Sequence, residues 1–158
     1  MRRNILTAIM IVLLAVALIT VVADADPSRL QSDIRLSMSP DGQIRMAAGA
    51  VNTGRATYPG TNVLDAWVTI TEQGTDWVAT RSSYNFLPNL GAMESAYPYL
   101  SSVHVKPGSY RLTIVSERMQ SINFEMRVEE KNGVYFLYAP SQFLETRDEN
   151  NLVFGSQP

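Results

Sequence analysis

Residues 63–72 read Val63-Leu64-Asp65-Ala66-Trp67-Val68-Thr69-Ile70-Thr71-Glu72, and the fold turns on this stretch. Successive side chains of a β-strand point to opposite faces, so a period of two sorts the segment into two rows. Leu64, Ala66, Val68 and Ile70 form one row; Val63, Asp65, Trp67, Thr69 and Thr71 form the other. An amphipathic helix would repeat its apolar residues every three or four positions instead. One aliphatic face and one mixed face describe a strand buried on one side. Trp67 is therefore placed opposite the aliphatic row, either open to solvent or covered by a later segment.

The same signal recurs on both sides. Upstream, Ile34, Leu36 and Met38 alternate with Arg35 and Ser37, and Ser39-Pro40-Asp41-Gly42 forms a turn in which Pro fixes φ and Gly accepts positive φ. Residues 44–51 return as a second strand with Ile44, Met46, Ala48 and Ala50 on one face. Turn formers crowd residues 52–62. Downstream, residues 77–82 make a shorter, irregular strand, and residues 83–98 have no clean period. Pro88 and Pro98 keep that segment out of a central strand, so a long loop or an edge is expected. Residues 100–105 and 109–115 are strands around a Lys106-Pro107-Gly108 turn. Ile122, Phe124, Met126 and Val128 then alternate with Asn123, Glu125 and Arg127. Asn132-Gly133 predicts a tight hairpin into residues 134–138. About eight short strands without a long amphipathic helix predict an all-β fold of antiparallel sheets packed as a sandwich, with a closed barrel as the structural alternative.

Residues 5–22 (ILTAIMIVLLAVALITVV) are of another kind: apolar throughout and preceded by Arg2 and Arg3. Eighteen residues of helix reach roughly 27 Å, close to a hydrocarbon core of about 30 Å. The apolar part of a signal peptide is shorter, about 7–15 residues, but Ala23-Asp24-Ala25 is an acceptable cleavage site. A retained single-pass anchor and a cleaved signal are thus both open, with secretion following cleavage after Ala25. Both put the paired arginines on the cytoplasmic side and the rest of the chain outside. The expected organisation is an anchor or signal at 1–23, a linker at 24–33, the β-sandwich at 34–139 and a polar tail at 140–158, with one helical turn in the tail.

The formal charge of −2 argues against nucleic acid, which selects basic surfaces. No lysine and arginine cluster follows the apolar run, so lipid headgroups are not an evident partner. Without cysteine the domain has no disulfides and no thiol chemistry or thiolate metal site, and must be held by its core. No N-glycosylation acceptor occurs.

Catalytic groups are sparse. His104 is the only histidine, no serine lies in a G-x-S-x-G elbow, and the two lysines, Lys106 and Lys131, lie in turns. The acidic groups at Glu129-Glu130 and at Glu145, Asp148 and Glu149 lack the spacing of a calcium loop and read as solvated faces. No catalytic, cofactor or metal-binding residue is assigned, and no enzyme activity is expected. The aromatics are more telling, because Trp and Tyr are enriched at binding hot spots. Trp67, Trp77, Tyr84, Phe86, Tyr97 and Tyr99 make up the candidate interaction face.

Three segments carry a resemblance: residues 48–54 (AGAVNTG), 63–71 (VLDAWVTIT) and 87–116 (LPNLGAMESAYPYLSSVHVKPGSYRLTIVS). Their succession resembles the Ig-like sandwiches of prokaryotic envelope proteins, particularly the CARDB type (cell-adhesion-related domains of bacteria and archaea), across residues 34–128. Asn52-Thr53-Gly54 and Pro107-Gly108-Ser109-Tyr110 match the turns of that family, whereas Leu90-Gly91-Ala92-Met93-Glu94 lacks its proline. The resemblance implies an Ig-like fold outside the cytoplasm and no characteristic active site. The expected function is a non-catalytic, membrane-tethered structural or interaction module that contacts another envelope protein. An extracytoplasmic hydrolase, or a small-ligand or carbohydrate-binding protein, is the alternative.

Overall fold

A computed structural model describes residues 29–145. The apolar run at 5–22, the cleavage site at Ala25 and the residues after Glu145 lie outside them. Eight strands follow in order: β1 (Leu30–Met38), β2 (Gln43–Asn52), β3 (Ala66–Glu72), β4 (Val78–Tyr84), β5 (Ser95–His104), β6 (Gly108–Val115), β7 (Ile122–Lys131) and β8 (Val134–Tyr138). Among the described residues a 3₁₀ turn, η1 (Ser141–Phe143), comes last.

The strands form two antiparallel sheets, β1-β2-β5 and β4-β3-β6-β7-β8. Each contributes the row that its alternation marked as apolar. Ile34, Leu36, Ile44, Met46, Ala48 and Ala50 are buried from the smaller sheet; Ala66, Val68, Ile70, Tyr110, Leu112, Ile114, Met126 and Val128 are buried from the larger. Burial of a Leu or Ile side chain contributes about 1.5–3 kcal/mol, so this one contiguous interior is what holds a fold that has no disulfide.

Backbone constraints decide where strands begin and bend. β3 starts at Ala66 rather than at Val63, because Asp65 adopts φ +48° and breaks the extended run; Asp tolerates that region better than most residues. Leu64 is nevertheless fully buried, since its backbone amide bonds to Asn85 O (2.8 Å) and its carbonyl accepts from the Ser116 hydroxyl (2.7 Å). The β2–β5 ladder shifts register around Gly49. A Cβ built there would lie 1.8 Å from Ala96 O, so only glycine fits. In the Asn132-Gly133 loop both residues have positive φ (+55° and +77°), the backbone of a type I′ hairpin.

Residues 83–98 are shorter as a loop than expected. β4 runs to Tyr84, and β5 takes up Ser95 to Pro98. Among the described residues β5 pairs only with β2, so Pro98 does sit on an edge strand there. The domain also reaches beyond 34–139 at both ends. β1 begins at Leu30, where Ser32 N donates to Gln120 O and Gln120 N donates to Leu30 O, both at 2.9 Å. After β8 the chain crosses back to β1: Leu144 is buried, Glu145 N donates to Leu36 O (2.8 Å), and Phe143 stacks on Phe124 with ring centroids 4.3 Å apart. These contacts cover the outer edge of β1, which would otherwise present unpaired backbone groups.

Candidate interaction surface

Trp67 stands on the outward face of the larger sheet, as its place in the alternation predicts. Register sets it directly opposite Val115 on β6, and the two are 40% and 50% exposed. What lies over its ring is Arg81 from β4, with the guanidinium carbon 4.9 Å from the centroid. A cation in that position is attracted by the electron-rich face of the indole. Val63 and Phe86 are exposed at the same end of the sheet. Their segments are tied together by the Thr61–Leu87 bridge and the Leu64–Asn85 bond. Val63, Trp67, Phe86 and Val115 therefore gather large apolar side chains outside the core, at the end where β3 and β4 meet their loops.

The other four candidate residues point elsewhere. Tyr84 ends β4 with its ring inside the sandwich, stacked on Tyr99 at 5.5 Å, and its hydroxyl donates to Gly49 O (3.1 Å). Burial pushes the Tyr84 hydroxyl well above its ordinary value of 10.0. Tyr97 lies on the outward face of the smaller sheet, where its hydroxyl donates to Asp33 Oδ2 (2.6 Å) and Arg35 sits over the ring at 5.4 Å. Burial, then that bond to Asp33, raises its ionisation. Trp77 precedes β4 at the opposite end of the larger sheet, 46% exposed and edge-on to Tyr110 at 6.4 Å. The six residues thus do not share one face. Trp67 and Phe86 lie at one end, Tyr84 and Tyr99 pack between the sheets, and Tyr97 and Trp77 lie apart from both.

Sequence reasoning missed Val115 and Arg81. Nothing local marks them; they become neighbours of Trp67 only through the register of β3 with β6 and β4. On the β7–β8 hairpin Glu130 is exposed and Glu129 half-buried, and the latter is ion-paired at the surface. Glu129 pairs with Lys131 (2.7 Å) and Arg127 (3.0 Å), while Arg127 and Lys131 approach the Tyr138 ring at 4.9 and 5.8 Å. The bond from Lys131 holds the Glu129 carboxyl below its usual range, and the same bond raises Lys131. His104 ends β5, exposed, opposite Gln43. Among the described residues no three His, Asp or Glu side chains are placed to share a metal ion. None of their helices is long and apolar enough to cross a membrane.

No family model, no curated protein and no solved structure matches the chain.

Proposed function

We propose that this chain is a non-catalytic, membrane-tethered module of the cell envelope whose Ig-like sandwich contacts another envelope protein. Two features support the Ig-like reading. The order β1-β2-β5 facing β4-β3-β6-β7-β8 corresponds to strands A-B-E facing C′-C-F-G of that fold, with β8 as an extra strand beyond G. The Tyr110 hydroxyl at the start of β6 donates back to Lys106 O (2.7 Å), the geometry of a tyrosine corner. The apolar run at 5–22 supports the tether.

The observation that carries the contact is the pairing of Trp67 with Val115 on the outside of a rigid sheet, with Phe86 and Val63 at the same end. Contiguous exposed apolar groups mark interaction sites, and residues fixed in a ladder lose little entropy when a partner covers them. The tether confines the domain and its partner to one surface and so raises their effective concentration.

The test is cross-linking in native membranes with wild type, Trp67→Ala and Val115→Ser. A partner held by wild type and lost from both variants, at unchanged melting temperature, is the expected result. An identical cross-linking pattern for all three would remove this end of the sheet as the contact.

A further inference from the structure

The outward face of the larger sheet has a second feature, at the end away from Trp67. A cleft of about 470 Å³ is lined by Gln73, Ser109, Glu125, Arg127, Tyr138 and Pro140. Its volume lies within the roughly 300–1,000 Å³ of small-molecule sites. Register builds it: Ser109 lies opposite Arg127, and Arg127 opposite Tyr138, so three neighbouring strands each give one side chain to a single row. Gln73 closes the row, its backbone amide bonded to Ser109 O (2.9 Å).

Gln73 is also where the hydrogen bonding is incomplete. Its carboxamide nitrogen is buried and has no hydrogen-bond partner. Burying a donor without an acceptor carries its full desolvation penalty. The carboxamide torsion is soft, so a small swing lets that nitrogen meet an acceptor held in the cleft. The charges around it are already compensated: Glu125 pairs with Arg111 (3.4 Å), and Arg127 with Glu129 (3.0 Å). An anion would meet the Glu125 carboxylate, and a cation would meet Arg127. A neutral ligand whose groups both donate and accept suits the mixture of carboxamide, hydroxyl, carboxylate and guanidinium, and Pro140 and Ala139 offer an apolar floor. Sugar hydroxyls and their C–H faces have these properties.

We propose that the cleft at Gln73, Ser109 and Arg127 binds a neutral saccharide. This goes beyond the protein contact at Trp67, and the two stand or fall separately.

The full-length chain, purified in a detergent without a sugar headgroup, is titrated calorimetrically with glucose, galactose, N-acetylglucosamine and their short β-linked oligomers. Glycine and inorganic phosphate serve as the zwitterionic and anionic probes. At least one saccharide is expected to bind. Gln73→Ala and Ser109→Ala, each removing one polar group from the rim, are expected to weaken that binding tenfold or more at unchanged melting temperature, while the distant surface variant Arg55→Ala leaves it unchanged. Ser109→Ala removes a single oxygen and decides the matter should Gln73→Ala fold poorly. Absence of binding by every saccharide, preference for glycine or phosphate, or full affinity in Ser109→Ala would each overturn the assignment.

Discussion

Asn52 shows how much one polar side chain fixes. It is fully buried, and its carboxamide nitrogen lies within hydrogen-bond distance of Ala56 O (2.7 Å), Leu90 O (3.1 Å) and Gly91 O (3.1 Å), while its oxygen accepts from Gly54 N (3.0 Å). One residue thereby ties the loop after β2 to the loop before β5. Asn52→Ala removes several hydrogen bonds at once, and at about 1 kcal/mol per lost bond the expected cost is about 2–4 kcal/mol. Urea unfolding with the denaturant slope compared between variants checks it; a change under about 0.5 kcal/mol would show that the loops hold without it. The sequence marked Asn52 as part of a turn, but a turn residue and a buried hub look alike until the second loop is in place. Tyr84 carries a pH dependence. Its raised ionisation means that the folded state keeps the proton while the unfolded chain releases it. The stabilisation is complete below pH 10.0, the ordinary value, and is lost as pH rises beyond it. Tyr97 and Tyr110 shift in the same direction. Tyr84→Phe is therefore expected to flatten, without abolishing, the fall in melting temperature above that pH, and to lower the neutral-pH value through loss of the bond to Gly49 O. An unchanged alkaline slope would mean that the ring opens to water before the domain unfolds.

At the scale of strands, what could be read from the sequence was whatever the alternation of one segment dictates. The spacing of Ile44, Met46, Ala48 and Ala50 puts them on one face of a strand, and all four are buried. The Asn132-Gly133 and Ser39–Gly42 turns follow in the same way from local backbone chemistry. Pairings between distant segments could not be read. Nothing in residues 140–145 announces that Phe143 stacks on Phe124 or that Leu144 bridges Leu36, because the partner lies far away in sequence. The placement of the six candidate aromatics was hidden for the same reason: close in sequence or strand order, they point in four directions once the register is set. The Phe124–Phe143 pair gives this scale its test. Stacked rings contribute about 0.5–1.5 kcal/mol beyond their burial, so a double-mutant cycle with Phe124→Leu and Phe143→Leu is expected to return a coupling near 1 kcal/mol. A coupling indistinguishable from zero would mean that η1 does not hold its place against the sheet in solution.

At the scale of the molecule, the contacts of Leu30, Ser32, Leu144 and Glu145 carry the folding unit to at least residues 30 and 145, against the 34 and 139 that the strand pattern of the sequence suggests. A fragment of residues 29–145 and one of residues 34–139 separate the two. The shorter fragment loses the Ser32–Gln120 exchange, the Leu36–Glu145 bond and the burial of Leu30, Phe143 and Leu144. It also leaves the outer edge of β1 bare, with unpaired backbone groups open to other chains. Burial of a leucine contributes about 1.5–3 kcal/mol, and each 1 kcal/mol moves the melting temperature of a domain this size by a few degrees. The longer fragment is expected to unfold in one cooperative transition with an antiparallel β-sheet spectrum. The shorter is expected to melt at least 10 °C lower or to associate through its edge, which analytical ultracentrifugation detects. Equal melting temperatures and a monomeric short fragment would return the boundary to residue 34 and make the two terminal segments appendages. The outcome also bears on the proposed tether, because a strand that starts at Leu30 leaves residues 23–29 between the apolar run of the sequence and the folded sheet. Seven residues span at most about 25 Å, so a tether of the kind proposed would hold the domain within that distance of its membrane.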